Sequence, residues 1–116
     1  MKKTKMMKKN YEFRNVLSKG KYYSGKYIEA FIKDNNKKCN YLGLAISVKY
    51  AKAVERNRIK RLIRENYKIM EDHIKDGKSI VFLVKKKSNS EDINFDNIYM
   101  DISSIFLKSN IKNKGN

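Results

Sequence analysis

A chain of 116 residues is long enough for one hydrophobic core and too short for two ordinary domains. Its 28 lysines and arginines against 12 acids give a formal net charge of +16, a self-repulsion that a polyanionic partner relieves. No segment approaches the roughly 18 apolar residues of a spanning helix, and one cysteine, Cys39, with one histidine, His73, excludes an internal disulfide and a zinc-type cluster, so neither a membrane partner nor a metal site is expected.

The first nine residues carry five lysines without apolar periodicity and read as a flexible basic arm, residues 1–9. Polar Asn10, Glu12 and Arg14 follow where a signal peptide would turn apolar, so the chain is expected in the cytoplasm. A short helix comes next, with Asn10 as N-cap, Phe13, Val16 and Leu17 on one face, and Gly20 as the left-handed residue past its end. Residues 27–33 alternate as a half-buried strand does, Ile28, Ala30 and Ile32 facing one way and Tyr27, Glu29 and Phe31 the other. Beyond a polar turn the alternation resumes over 41–48, where Leu42, Leu44, Ile46 and Val48 oppose Tyr41, Gly43, Ala45 and Ser47, and the two strands are expected to pair as an antiparallel hairpin.

From Val54 to about Ile74 the period becomes helical, with Ile59, Leu62, Ile63, Tyr67, Met70 and Ile74 in step. Asp76-Gly77 ends that stretch, and the continuous apolar run over 79–84 predicts a central strand covered on both faces. Phe95, Ile98, Tyr99, Ile102, Ile105 and Phe106 then mark a last amphipathic helix capped by Asn94. A single folded domain over 10–108 is expected, with 109–116 a frayed tail.

The central helix carries six cations. Arg56, Lys60, Arg61, Arg64 and Lys68 lie opposite the apolar arc, Asn57 sits among them, and Arg58 stands nearer the apolar edge. Like charges three and four residues apart destabilise a helix, and solubility is served as well by mixed signs, so an unmatched stripe points to an anionic ligand rather than to a merely solvated face. Arginine adds a planar fork that binds phosphate in two-pronged fashion and stacks on unpaired bases, which suits structured RNA. A second surface admits two readings. Phe13, Leu17, Tyr27 and Phe31 are either core or a platform on which unpaired bases stack; in the second reading the small residues Gly43, Ala45 and Ser47 let RNA approach, and Lys19, Lys21 and Lys26 hold its phosphates.

The run Val54-Glu55-Arg56-Asn57-Arg58-Ile59-Lys60-Arg61-Leu62-Ile63-Arg64-Glu65 resembles the signature of the bacterial ribonuclease P protein family. Glu12-Phe13 with Leu17 and Gly20, Leu42-Gly43-Leu44 with Ser47 and Lys49, and residues 80–84 resemble its first helix and two of its strands, so the likeness spans residues 9–108. The chain departs from the family pattern at Leu17, where an aromatic is usual, at Tyr41 and Val48, where basic residues are, and at Ala51, where glycine is.

The resemblance implies an α+β sandwich: a central mixed sheet of about four strands, three helices and a left-handed βαβ crossover through the basic helix, similar to a ribosomal-protein domain. It implies the protein subunit of an endoribonuclease whose catalysis belongs to its RNA, with ribonuclease P RNA and precursor tRNA as partners and no DNA. Magnesium is implied for the holoenzyme and no cofactor for the protein alone. Carried over residue by residue, catalytic-RNA contact falls on Arg56, Asn57, Arg58, Lys60, Arg61, Arg64 and Lys68, and 5′-leader contact on Phe13, Leu17 and Phe31. Tyr27, Lys19, Lys21, Lys26 and Ser47 complete the expected leader cleft. The alternative is a general or ribosome-associated RNA-binding protein. A helix-turn-helix DNA repressor is disfavoured because a strand, not a short helix, precedes the basic helix.

Overall fold

In the computed structural model, which describes Met1 and residues 3–112, the elements in chain order are β1 (Thr4–Met6), α1 (Asn10–Lys19), β2 (Lys21–Ser24), β3 (Ile28–Asp34), β4 (Asn40–Ala45), α2 (Ala53–Met70), β5 (Lys78–Val84) and α3 (Phe95–Lys108). Short 3-10 turns follow at Glu71–His73 and precede α3 at Ser90–Asp92. The strands form one mixed sheet in the order β1-β4-β5-β3-β2, with β1–β4 and β4–β5 parallel and the other pairs antiparallel. The apolar run therefore occupies the centre, as expected of a strand without a polar face.

That placement overturns the expected hairpin. β3 and β4 do not pair, because β5 inserts between them and bonds to both. The true hairpin joins β3 to β2, a four-residue edge strand of polar and aromatic residues, Lys-Tyr-Tyr-Ser, too short and too polar to show periodicity.

Each face of the sheet has its own cluster. On one, Ile28, Ala30, Ile32, Leu42, Leu44, Ile80 and Phe82 pack with Ile59, Ile63 and Tyr67 of α2 and Ile98, Ile102, Ile105 and Phe106 of α3. On the other, Val81 packs with Met7 and with Val16 of α1, while Phe13, Leu17, Phe31, Tyr41, Ala45 and Leu83 are partly buried around them.

Both ends are more ordered than the sequence suggests. The basic arm contains β1: Met7 is buried, Lys3 Nζ donates to the Ile74 carbonyl at 2.9 Å and pairs with Asp76 at 3.4 Å, and the buried Thr4 hydroxyl lies 2.6 Å from the Tyr67 phenol oxygen. Lysines mask this strand, since exposed Lys5 separates buried Thr4 from Met6 and Met7 and breaks any apolar run. The expected frayed tail begins with packed chain: Ile111 is buried and Lys112 bridges to Ile74, whereas 113–116 lie outside the described residues.

Local signals fare unevenly. Asn94 caps α3 by accepting from the Asn97 amide at 2.9 Å, as expected. Asn10 is instead the first residue of α1, whose free amides at Lys8 and Lys9 are taken up by the Glu12 carboxylate at 3.4 and 3.1 Å. Gly20 has φ −77, an ordinary extended value; a Cβ there would come within 2.6 Å of the Val16 carbonyl oxygen, so close packing rather than handedness requires glycine. Strand β4 stops at Ala45, leaving Val48 exposed in the turn before α2.

Burial pushes the Tyr67 phenol up to about 12, against the opposing effect of the Thr4 hydroxyl. A folded-state value above the ordinary one near 10 means that the contribution to stability is complete below pH ~10 and disappears as pH rises through ~12. Denaturant midpoints across that window, compared with Tyr67→Phe, should show wild type losing about 2–3 kcal/mol relative to the variant. Parallel curves for the two proteins would contradict a buried, protonated phenol.

Candidate nucleic-acid interface

The strand registers align three rows on the sheet face that carries α1. Calling the end with Ile28, Ala45 and Val84 the upper end, the upper row is Glu29–Leu83–Ala45, the middle row Phe31–Val81–Gly43 and the lower row Lys33–Ser79–Tyr41. Helix α1 covers the middle row. The Phe13 ring rests on Gly43, where a Cβ would stand 2.7 Å from Phe13 and 2.9 Å from the Met7 sulfur. Gly43 thus admits an internal aromatic ring and is not open to RNA as the sequence suggests. The helix leaves two grooves, one on each side of it.

The upper cleft gathers part of the expected leader set. Phe13 and Leu17 of α1 and Phe31 of β3 come together, all half-buried. Phe31 is joined by Tyr22 of β2, its register partner, with ring centroids 5.3 Å apart. Tyr22 is 50 % exposed, and its hydroxyl donates to the Glu29 carboxylate at 2.5 Å, a bond that raises the phenol above its ordinary value. Sequence reading missed Tyr22 because it missed β2; the signal available was the pair Tyr22-Tyr23 beside Gly20 and Gly25.

Other expected members lie elsewhere. Lys21 is in register with Ile32 and therefore shares the face of α2 and α3, where it and Lys19 line a hollow beside Ser109 and Ile111. Tyr27 packs against the main core instead of beside Phe31, because it precedes β3 in a turn and the strand alternation does not extend to it. Lys26 is exposed at the upper end, its ammonium 5.4 Å from the Tyr27 ring centroid. Ser47 is exposed past β4, its hydroxyl accepting from the Lys49 amide at 3.1 Å in the turn that leads to α2.

A buried carboxylate shapes that upper end. Asp101 of α3 accepts the amides of Lys26, Tyr27 and Ile28 at 2.8, 2.7 and 2.9 Å, fixing the turn that presents Lys26. Gly25 makes room for it, since a Cβ there would come within 2.6 Å of the Asp101 carboxyl carbon. The sequence did carry a signal: Asp101 is the one acid on the apolar stripe between Ile98 and Ile105.

On α2 the structure divides the basic residues by task. Arg58 is half-buried and tied to the protein, its Nε on the Glu55 carboxylate and its two terminal nitrogens on the carbonyls of Ile93 at 2.8 Å and Ser90 at 3.0 Å. Arg56 donates to the Ala51 carbonyl at 2.6 Å and closes the entry turn of α2. Asn57, Lys60, Arg61, Arg64 and Lys68 face outward, and among the described residues none of the five has a side-chain hydrogen bond or ion pair. Also among the described residues, no three His, Cys, Asp or Glu side chains gather as metal ligands, and no helix is long and apolar enough to cross a membrane.

Both the sequence and the fold of this chain have counterparts among known proteins. A sequence profile described as Ribonuclease P matches residues 1–110. The chain is 39 % identical over 106 residues to the ribonuclease P protein component of Clostridium botulinum (strain Langeland), covering 90 % of each, and 38 % identical over 111 residues to that of Clostridium kluyveri, covering 94 % and 93 %. Its fold superposes on the RNase P protein of Staphylococcus aureus with a TM-score of 0.81 at 28 % identity, over 93 % of this chain and 97 % of the other. The chain belongs to the bacterial ribonuclease P protein family, the protein subunit of a ribonucleoprotein endoribonuclease that matures the 5′ ends of tRNA.

Proposed function

We propose that the outward face of α2 binds the catalytic RNA while the upper cleft takes the single-stranded 5′ leader of precursor tRNA, in the cytoplasm. The observation that supports this most is the partition of cations on α2: those at the protein's edge are bound to carbonyls, and among the described residues the row Asn57, Lys60, Arg61, Arg64 and Lys68 has no side-chain hydrogen bond or ion pair. Such a row gains most from phosphates, which replace mutual repulsion by charge-assisted bonds. Arg58 acts in this scheme as a positioning residue, because it ties α2 to the segment 90–93 and so sets where the basic face points. Magnesium is assigned to the RNA of the holoenzyme, whose phosphates and waters are the oxygen ligands that ion prefers.

Within the cleft, Tyr22 and Phe31 form the bed on which leader bases stack, with Leu17 as the wall on α1. Lys26 and the turn held by Asp101 stand at the upper exit, where the leader's phosphates would pass. Stacking without base-edge hydrogen bonds tolerates any leader sequence, as a subunit serving many precursors requires.

Two substitutions of the outward face, Arg61→Ala with Arg64→Ala, should lower affinity for the catalytic RNA at least about tenfold and reduce the slope of log affinity against log salt by about two, with stability changed by less than ~0.5 kcal/mol. Arg58→Ala should instead lower stability by about 1–3 kcal/mol, since it strips partners from two carbonyls and a carboxylate. Filter binding across a salt series together with denaturation curves checks both. An unaltered salt slope in the folded double variant would remove α2 from the RNA interface.

For the cleft, Tyr22→Ala should weaken binding of a precursor tRNA to the assembled holoenzyme by about 1–3 kcal/mol and leave mature tRNA unaffected. Because Tyr22 is exposed, its melting curve should stay near wild type, whereas Phe31→Ala should also lose stability as a half-buried ring does. Equal losses for precursor and mature tRNA in both variants would show that the rings serve the fold and not the leader.

A further inference from the structure

We infer that the groove below α1 is a second binding site for single-stranded RNA, separate from the upper cleft and able to hold one or two nucleotides. The groove encloses about 540 Å³ between the outer flank of α1 and the lower row of the sheet, and none of Phe13, Leu17 or Phe31 lines it. That volume lies in the range of sites that bury small ligands, roughly 300–1,000 Å³.

Its electrostatics favour an anion. Arg14 from α1, Lys33 from the lower row and Lys37 from the turn before β4 line it against one acid, Glu12. The Glu12 carboxylate is already turned to the Lys8 and Lys9 amides. Among the described residues Arg14 has no side-chain partner, and neither lysine pairs with a carboxylate. The polar floor is satisfied: the Asn35 amide nitrogen donates to the Cys39 carbonyl and the Ser79 hydroxyl, both at 3.2 Å, and its oxygen accepts from the Lys37 amide at 2.8 Å. With its floor occupied, the groove would read phosphate and ring faces rather than base edges.

Two aromatic rings supply those faces. Tyr41 rises from the lower row with the Lys37 ammonium 5.2 Å from its centroid, and Tyr11, 60 % exposed at the mouth, has the Lys9 ammonium at 5.9 Å. Each ring is thus covered by a cation on a flexible stem. A base stacking on the ring would displace the ammonium, which then lies within reach of the adjoining phosphate, so one movement satisfies both halves of a nucleotide. An acidic peptide would use the cations and leave the rings idle, which separates the two ligands experimentally.

Amide NMR of the full-length protein, titrated in turn with hexauridylate and with hexa-aspartate, tests the inference. Hexauridylate should shift amides over 11–18 and 33–41 as a group distinct from those over 22–31. Arg14→Ala with Lys33→Ala should weaken that first response at least about tenfold and spare the second. Tyr41→Leu, which keeps the cations, should weaken hexauridylate but not hexa-aspartate. Arg14→Glu alone, on an exposed helix position, keeps the comparison readable should the double variant lose its fold. A response confined to 22–31, or equal binding of the two probes in every protein, would overturn the site.

Discussion

A strand with no polar face cannot be satisfied by a single layer of helices, and β5 sets that requirement for the whole protein. Ile80 and Phe82 point to one side and Val81 to the other, all fully buried, so apolar cover has to come from both directions. Helices α2 and α3 provide it on the first side. On the second there is only α1, ten residues long, too short to roof a five-stranded sheet. It covers the middle row and leaves sheet surface above and below. The grooves are therefore what remains when a two-sided strand has one short helix on its second face.

The seating of α1 depends on Gly43. Only a residue without a side chain lets the Phe13 ring settle on β4, and the close approach draws Met7 and Val16 onto Val81. Phe13 is thereby committed to packing, and the part of the aromatic set that remains accessible shifts outward to Tyr22 and the free side of Phe31. The same logic governs α2. Arg58 lies at the margin of its apolar face, beside the Ile93 and Ser90 carbonyls of the segment before α3, and a guanidinium with fixed forked donors satisfies both at once where water would have to reach them through a crowded edge.

Much of this was legible in the sequence, and what was not has identifiable causes. Period located β3, β4, α2 and α3, each long enough to display it against a core, and an unbroken apolar run located β5. The signature on α2 carried the family. The pairing of β3 with β4 was misread because adjacency in sequence is the default and nothing local announces that a later strand will come between. Strands β1 and β2 were invisible for another reason: at three and four residues on the sheet's edges, their side chains answer to solvent more than to the core. Phe13, Leu17 and Phe31 pack around one cluster on the face that carries α1, whereas Lys19, Lys21 and Tyr27 are near them only in the chain. Register, which sequence does not print, sends Lys21 to the opposite face.

The placement of the acids explains how a chain with net charge +16 can fold and still display that charge. Asp101 is buried on three backbone amides, Glu71 is buried with the Lys3 amide 3.4 Å away, Glu12 takes the entry amides of α1, and Glu29 accepts from Tyr22. Asp34 pairs with Lys78, which holds its carboxyl below the usual range; Asp76 pairs with Lys3 and Glu55 with Arg58. Removing a buried one such as Asp101, which holds three backbone amides, costs the fold directly, whereas the exposed pairs of Asp34 and Asp76 contribute little. Of the few left over, Glu65 alone shares α2 with the outward stripe. Most of the negative charge is thus engaged within the chain, while the outward cations of α2 keep no carboxylate partner among the described residues. A fold arranged this way keeps its self-repulsion until a polyanion arrives, which makes RNA binding a completion of the protein's electrostatics rather than an addition to them.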